Sequence, residues 1–98
     1  MNLRVADLLG RGQAAAVPLR HLVAVTGLEG RTVRKQIEAE RRKGVPILSD
    51  NSSGYYLPGN DTEIADCVSS LRRRAREILR TAAAIETGGG NYHANSET

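Results

Sequence analysis

The sequence predicts a mainly α-helical fold with one small β-hairpin, in the order short helix, helix-turn-helix, hairpin and long C-terminal helix. Three observations predict it. Two apolar-striped segments meet at Thr26-Gly27-Leu28, where glycine can take φ > 0 and end a helix, and two helices joined by such a short turn form a helix-turn-helix. After Gly44 the chain turns β-rich, with "VPILSD" and "YYLP" around the turn-like "NSSG". From Asn60 onward Ile64, Leu71, Ile78 and Ile85 recur every seven residues.

In chain order, Leu3, Ala6, Leu8 and Leu9 fall at roughly helical intervals, predicting a short first helix ended by Gly10 and Gly12, with "QAAA" in the connection that follows. Pro18 suits the first position of the next helix, where its fixed φ fits and its missing N–H is not needed; Leu19, Leu22 and Val23 form its apolar stripe. The following helix is expected from near Glu29 to Lys43, stopped by Gly44. Pro46 and Pro58 sit near the hairpin's strand ends, where a missing donor does least harm. Asn60 with Glu63 three residues on fits a capping box opening the long helix. The row Val68, Ala75 and Ala82 accompanies the heptad row, so Ile64, Val68, Leu71, Ala75, Ile78, Ala82 and Ile85 form a candidate dimerisation seam. "TGGGNYHANSET", residues 87–98, reads as a disordered tail because three successive glycines and polar residues bury little.

Composition narrows the function. Trp and Phe are missing from the 98 residues and Tyr occurs three times, so a core must be built from aliphatic side chains and a partner subunit is expected to help stabilise it. One cysteine, Cys67, permits no internal disulfide and fits a reducing, cytoplasmic setting. With only His21 and His93 beside it, no metal-ligand spacing exists, and no cofactor or small-molecule ligand is evident. No apolar run approaches the ~20 residues of a membrane span, and the first residues lack a secretory signal's apolar centre. No paired acid and base, nucleophile or phosphate loop supports an enzyme. The net charge of +3 is unevenly spread: from Arg20 to Lys43 seven cations stand against three anions, whereas Gly59 to Ser70 carries three acids and no base. Arg72 to Arg80 then carries five Arg and one Glu. Basic blocks of this kind are either solvated helix surface or footprints for a polyanion.

The "LVAVTGL" turn, "RTVRKQI" opening the second helix, "RRKGVPI" leading out of it and "GYYLP" closing the hairpin occur at separations that carry a resemblance. Residues 3 to 58 resemble the winged helix-turn-helix DNA-binding domain, as found at the N-terminus of the biotin operon repressor and in small phage and bacterial regulators. The long helix lies outside the resemblance. The 40 residues after Pro58 are too few for the ligase domain that follows in that repressor, and nothing about biotin is carried over. The resemblance implies a winged helix-turn-helix domain over residues 1–58, and the heptad pattern adds a dimerisation helix over 60–86.

A helix-turn-helix reads the major groove with its second helix. With Val33 and Ile37 facing the core, Arg31, Thr32 and Lys35 become candidates for bases or nearby phosphates, and Arg34 and Arg42 for phosphates. The hairpin tip, Asp50-Asn51-Ser52-Ser53, holds no Lys or Arg, so little wing contact is expected. Tyr55 and Tyr56 alternate, predicting one inside and one outside. Glu40 departs from the family pattern, which places an inward Leu there. It predicts either an ion pair with a cation such as Arg41, Lys43 or Arg20, or packing of this face against another element, the arginine-rich long helix being favoured. The leading functional expectation is sequence-specific double-stranded DNA binding by a small homodimer, a transcriptional or phage regulator. The alternative is a protein-interaction module using the same scaffold and the Arg72–Arg80 cluster.

Overall fold

The computed structural model describes residues 3–96, with side chains through Tyr92. It is mainly helical. Two 3₁₀ turns, Val5–Leu8 and Gln13–Ala15, precede α1 (Leu19–Thr26) and α2 (Gly30–Arg42), followed by strands β1 (Leu48–Asp50) and β2 (Gly54–Tyr56) and then α3 (Asp61–Ser96). The chain forms two compact units, one ending at Cys67 and one beginning at Val68. The first turns of α3 therefore belong to the first unit, which extends past the boundary at 58 expected from sequence.

The turn between α1 and α2 is built locally. Gly27 closes α1 in the left-handed region at φ 72°, its N–H donating to the Val23 carbonyl. The Thr26 hydroxyl donates to the Leu22 carbonyl (2.7 Å) and accepts from the Leu28 N–H (3.1 Å), so one side chain terminates α1 and orients the link. Leu22, Val33, Ile37, Val5 and Ile47 are almost completely buried and form the core, with Leu19, Val23, Leu28 and Leu57 packed around it. Burying each such side chain contributes roughly 1.5–3 kcal/mol.

β1 and β2 pair antiparallel, Leu48 opposite Tyr56 and Asp50 opposite Gly54. The hairpin is widened by residues the sequence placed in a connection. Val17 and Tyr55 exchange both main-chain hydrogen bonds (2.8 and 2.9 Å), while Gly12 N–H donates to Leu57 and Leu57 N–H to Gly10 (2.7 and 2.8 Å). Both faces of the hairpin are consequently covered. Tyr55 packs on the main core, while Tyr56 is buried in a second cluster with Leu48, Cys67 and Ile64. The expectation of one outward tyrosine is corrected: a strand exposes its alternate residues only where one face is left bare.

α3 opens with Asn60 accepting from the Glu63 N–H (2.8 Å), as the capping box predicts. The Glu63 carboxylate turns elsewhere, accepting from the N–H groups of Gly59 (2.8 Å) and Gln13 (3.0 Å). At its other end α3 runs through Gly88, Gly89 and Gly90 to Ser96, so residues 87–96 are helical where the sequence predicts a disordered tail. Each glycine weakens a helix by about 1 kcal/mol without removing an N–H, so it disfavours the helix but does not break it.

Candidate nucleic-acid interface

α2 is bracketed by glycines, Gly27 before it and Gly44 after it, both at positive φ. Its inward side is Val33, Ile37 and Glu40, with Gly30, Gln36 and Arg41 half-buried at the margins. Arg31, Thr32, Arg34, Lys35 and Arg42 are all exposed. Arg31, Arg34, Lys35 and Arg42 line one open depression of about 440 Å³ together with Glu38 and Ala39. Thr32 is separate: it lines the neighbouring depression, with Arg4, Gln36 and Lys43. The sequence-predicted set is therefore divided along the helix, four cations on one strip and Thr32 on the next.

Two features leave the first strip strongly positive. Glu38, its one acid, is paired by Arg41 Nη1 at 3.2 Å. Arg41 is in turn committed, its Nε donating to the Ile47 carbonyl (2.7 Å) and its Nη2 to Ser49 Oγ (3.1 Å), so it staples α2 to β1. Among the described residues Arg31, Arg34, Lys35 and Arg42 make no ion pair. Four cations on one helical face, none of them in an ion pair with the single acid beside them, leave that face with an excess of positive charge that attracts anions.

Glu40 is 4% exposed, and its partners correct the sequence expectation. Its hydrogen-bond partners all lie within the first unit, and none of them is Arg41, Lys43 or Arg20. Its two oxygens accept the main-chain N–H groups of Val5 (2.7 Å) and Ala6 (3.0 Å), and Gln36 Nε2 donates to the same carboxylate at 2.9 Å. It caps the first 3₁₀ turn from a distance of 35 residues. Burial pushes the Glu40 carboxyl up, but the Ala6, Gln36 and Val5 hydrogen bonds and the nearby Arg4 charge outweigh that and hold it below its ordinary range. No sequence spacing signals this contact.

The hairpin tip carries one carboxylate and no cation. The Ser53 N–H, with the Ser52 N–H and the Gln13 amide, holds the Asp50 carboxyl below its ordinary range against the opposing effect of burial. Asp50 is thus turned into its own loop, and the tip offers Asn51 and Ser52 at the surface.

In the second unit the seam is solvent-facing: Val68 is 36% exposed, Leu71 41%, Ile78 62% and Ile85 68%. Ile78, Ala82 and Ile85 form the apolar floor of a groove edged by Arg74, Glu77 and Thr81. Ile64 is different, being half-buried within the first unit against Leu48, Tyr56 and Cys67. The seam open to a partner therefore starts at Val68. Arg72, Arg73, Arg74, Arg76 and Arg80 are exposed, with Arg80 paired to Glu77 at 2.9 Å. Cys67 is buried, and His21 is exposed and away from the core. Among the described residues no group of His, Cys, Asp and Glu could hold a metal, and no helix is long and apolar enough to cross a membrane. No protein-family model, curated protein or solved structure matches this chain.

Proposed function

We propose that this chain is a winged helix-turn-helix protein that binds duplex DNA through the outward face of α2 and acts as a dimer through α3, as a small transcriptional or phage regulator does. The observation that carries the reading is the strip of Arg31, Arg34, Lys35 and Arg42 on the second helix of a glycine-turned pair, with no ion partner among the described residues. Several further features support it. Pairing of residues 10–12 and 17 with 55–57 extends the hairpin beside the helix pair. Arg41 ties that hairpin to α2, so the two elements are presented as one body. The apolar row Leu71, Ile78 and Ile85, exposed in the single chain, is suited to a second copy of the same helix. A two-fold dimer would bring two α2 helices to two half-sites.

Selection of bound duplexes from a random pool tests this reading. The expected result is an enriched consensus made of two inverted half-sites. Recovery of unselected sequence from a protein that binds DNA tightly would contradict sequence-specific recognition, and a single unrepeated half-site would contradict the dimer.

A second reading rests on the α3 groove. A floor of Ile78, Ala82 and Ile85 with Arg74 and Glu77 at its edge also suits a helix of another protein, making the chain an interaction module. Under that reading, duplex DNA has no salt-sensitive affinity for the α2 face.

A further inference from the structure

Resting on the DNA-binding reading, we infer that Arg4 and Lys43 form a second phosphate-binding rim along α2, opposite Arg34, so that the helix is gripped from both strands of the groove. At about 100° per residue, Arg31, Lys35 and Arg42 lie within about 40° of one another on the outward centre of α2. Arg34 lies about 60° to one side of Arg31, and Thr32 and Lys43 lie about 100–120° to the other. An α-helix with its side chains is about 10–12 Å across and the major groove about 12 Å wide, so both flanks of an inserted helix meet backbone. Only one flank carries a cation from the sequence-predicted set.

The chain supplies the other flank from its N-terminal segment. The Leu3 carbonyl accepts from Gln36 Nε2 (3.1 Å), and the Val5 N–H donates to Glu40 (2.7 Å). Both groups flanking Arg4 are thus tied to side chains of α2 one turn apart. Arg4 itself is extended, at φ −115° and ψ 120°, and its side chain is exposed. It lines the depression that also holds Thr32 and Lys43, the two outward residues on that flank. Glu40 is a positioning residue in this arrangement: its carboxylate stays ionised, but both oxygens are occupied by two main-chain N–H groups and Gln36, so it fixes the main chain on the C-terminal side of Arg4 and is itself 4% exposed. Lys43, just after the last turn of α2, continues the same edge.

The test is the salt dependence of duplex binding by the full chain, measured by fluorescence anisotropy for wild type, Arg34→Ala, Arg4→Ala, Lys43→Ala and the double variant Arg4→Ala/Lys43→Ala. The three single changes are at exposed positions, and unchanged helical circular dichroism verifies the fold. Each single variant is expected to flatten the slope of log Kobs against log salt by about 1 per protomer, and the double variant by about 2 per protomer, with equal losses on specific and non-specific duplexes. Wild-type slopes for the Arg4 and Lys43 variants, beside a flattened slope for Arg34→Ala, would overturn the second rim and leave the DNA reading intact. Absence of salt-sensitive binding by the wild type would overturn both.

Discussion

Glu40→Leu is expected to remove about 2–5 kcal/mol of stability from the first unit. The substitution restores the apolar residue that the helical pattern asks for, and on pattern alone it should stabilise. The geometry reverses the sign. Val5 and Ala6, 0% and 7% exposed, would each bury an N–H with no acceptor, at about 1–3 kcal/mol apiece. Gln36 would lose an acceptor as well. A domain of this size has roughly 3–10 kcal/mol in total, so the loss is a large share of it. Glu40→Gln keeps one acceptor but turns an NH₂ toward the other N–H, and an intermediate loss is expected. Urea unfolding followed by circular dichroism measures both; a Glu40→Leu midpoint at or above wild type would contradict the role assigned to the carboxylate.

The same contact sets a pH dependence. The Glu40 carboxyl lies below its ordinary value of 4.5 in the folded protein, so its contribution is fully present above that value and is lost as pH falls through the folded value. Asp50 and Glu63 are lowered too, Asp50 first by the Ser53 N–H and Glu63 first by the Gln13 N–H, and they act in the same direction. Stability is therefore expected to fall below about pH 4.5, less steeply in Glu40→Gln than in wild type.

Gly54→Ala is expected to be comparably damaging, removing about 3–4 kcal/mol, through the backbone rather than through charge. Gly54 sits at φ 109°, a region that disfavours any side chain by about 1–2 kcal/mol. A Cβ there would lie 2.3 Å from the Val17 carbonyl oxygen and 2.8 Å from Pro18 Cα. Neither is a flexible side chain that could swing away, so β2 must move off residue 17. That movement breaks the two Val17–Tyr55 hydrogen bonds, worth about 0.5–1.5 kcal/mol each. Thermal unfolding reads the effect: a fall in Tm of more than about 10 °C is expected, and a shift under about 2 °C would contradict it.

These two residues also mark where the sequence was and was not legible. α2 was readable because its limits are written locally, in Gly27, Gly44 and the spacing of Val33 and Ile37. The hairpin was readable from the polar "NSSG" between β-rich runs. Glu40 stood out in the sequence as an apolar position holding an acid, yet its partners did not, since a donor 35 residues away leaves no periodic trace. The same holds for Val17 and Gly12, whose pairing with Tyr55 and Leu57 turns an apparent connection into part of the sheet. In the first segment Leu3, Ala6, Leu8 and Leu9 suggested a short helix, and one forms as a single 3₁₀ turn over Val5–Leu8, held by Glu40 and followed by an extended Leu9. In the candidate interface, Arg31, Arg34, Lys35 and Arg42 follow from helix geometry once the core face is known. Arg4 does not, because its position is decided by Gln36 and Glu40 through main-chain bonds.

The central claim is that the cationic face of α2 meets a polyanion, and salt titration of duplex binding tests it most directly. With Arg31, Arg34, Lys35 and Arg42 each neutralising one phosphate, log Kobs should fall against log salt with a slope of at least about −3.6 per protomer, and Arg31→Ala/Lys35→Ala/Arg42→Ala should flatten it by about 2.7. A wild-type protein that ignores duplex DNA at low ionic strength, or a triple variant that binds with the wild-type slope, would contradict the account.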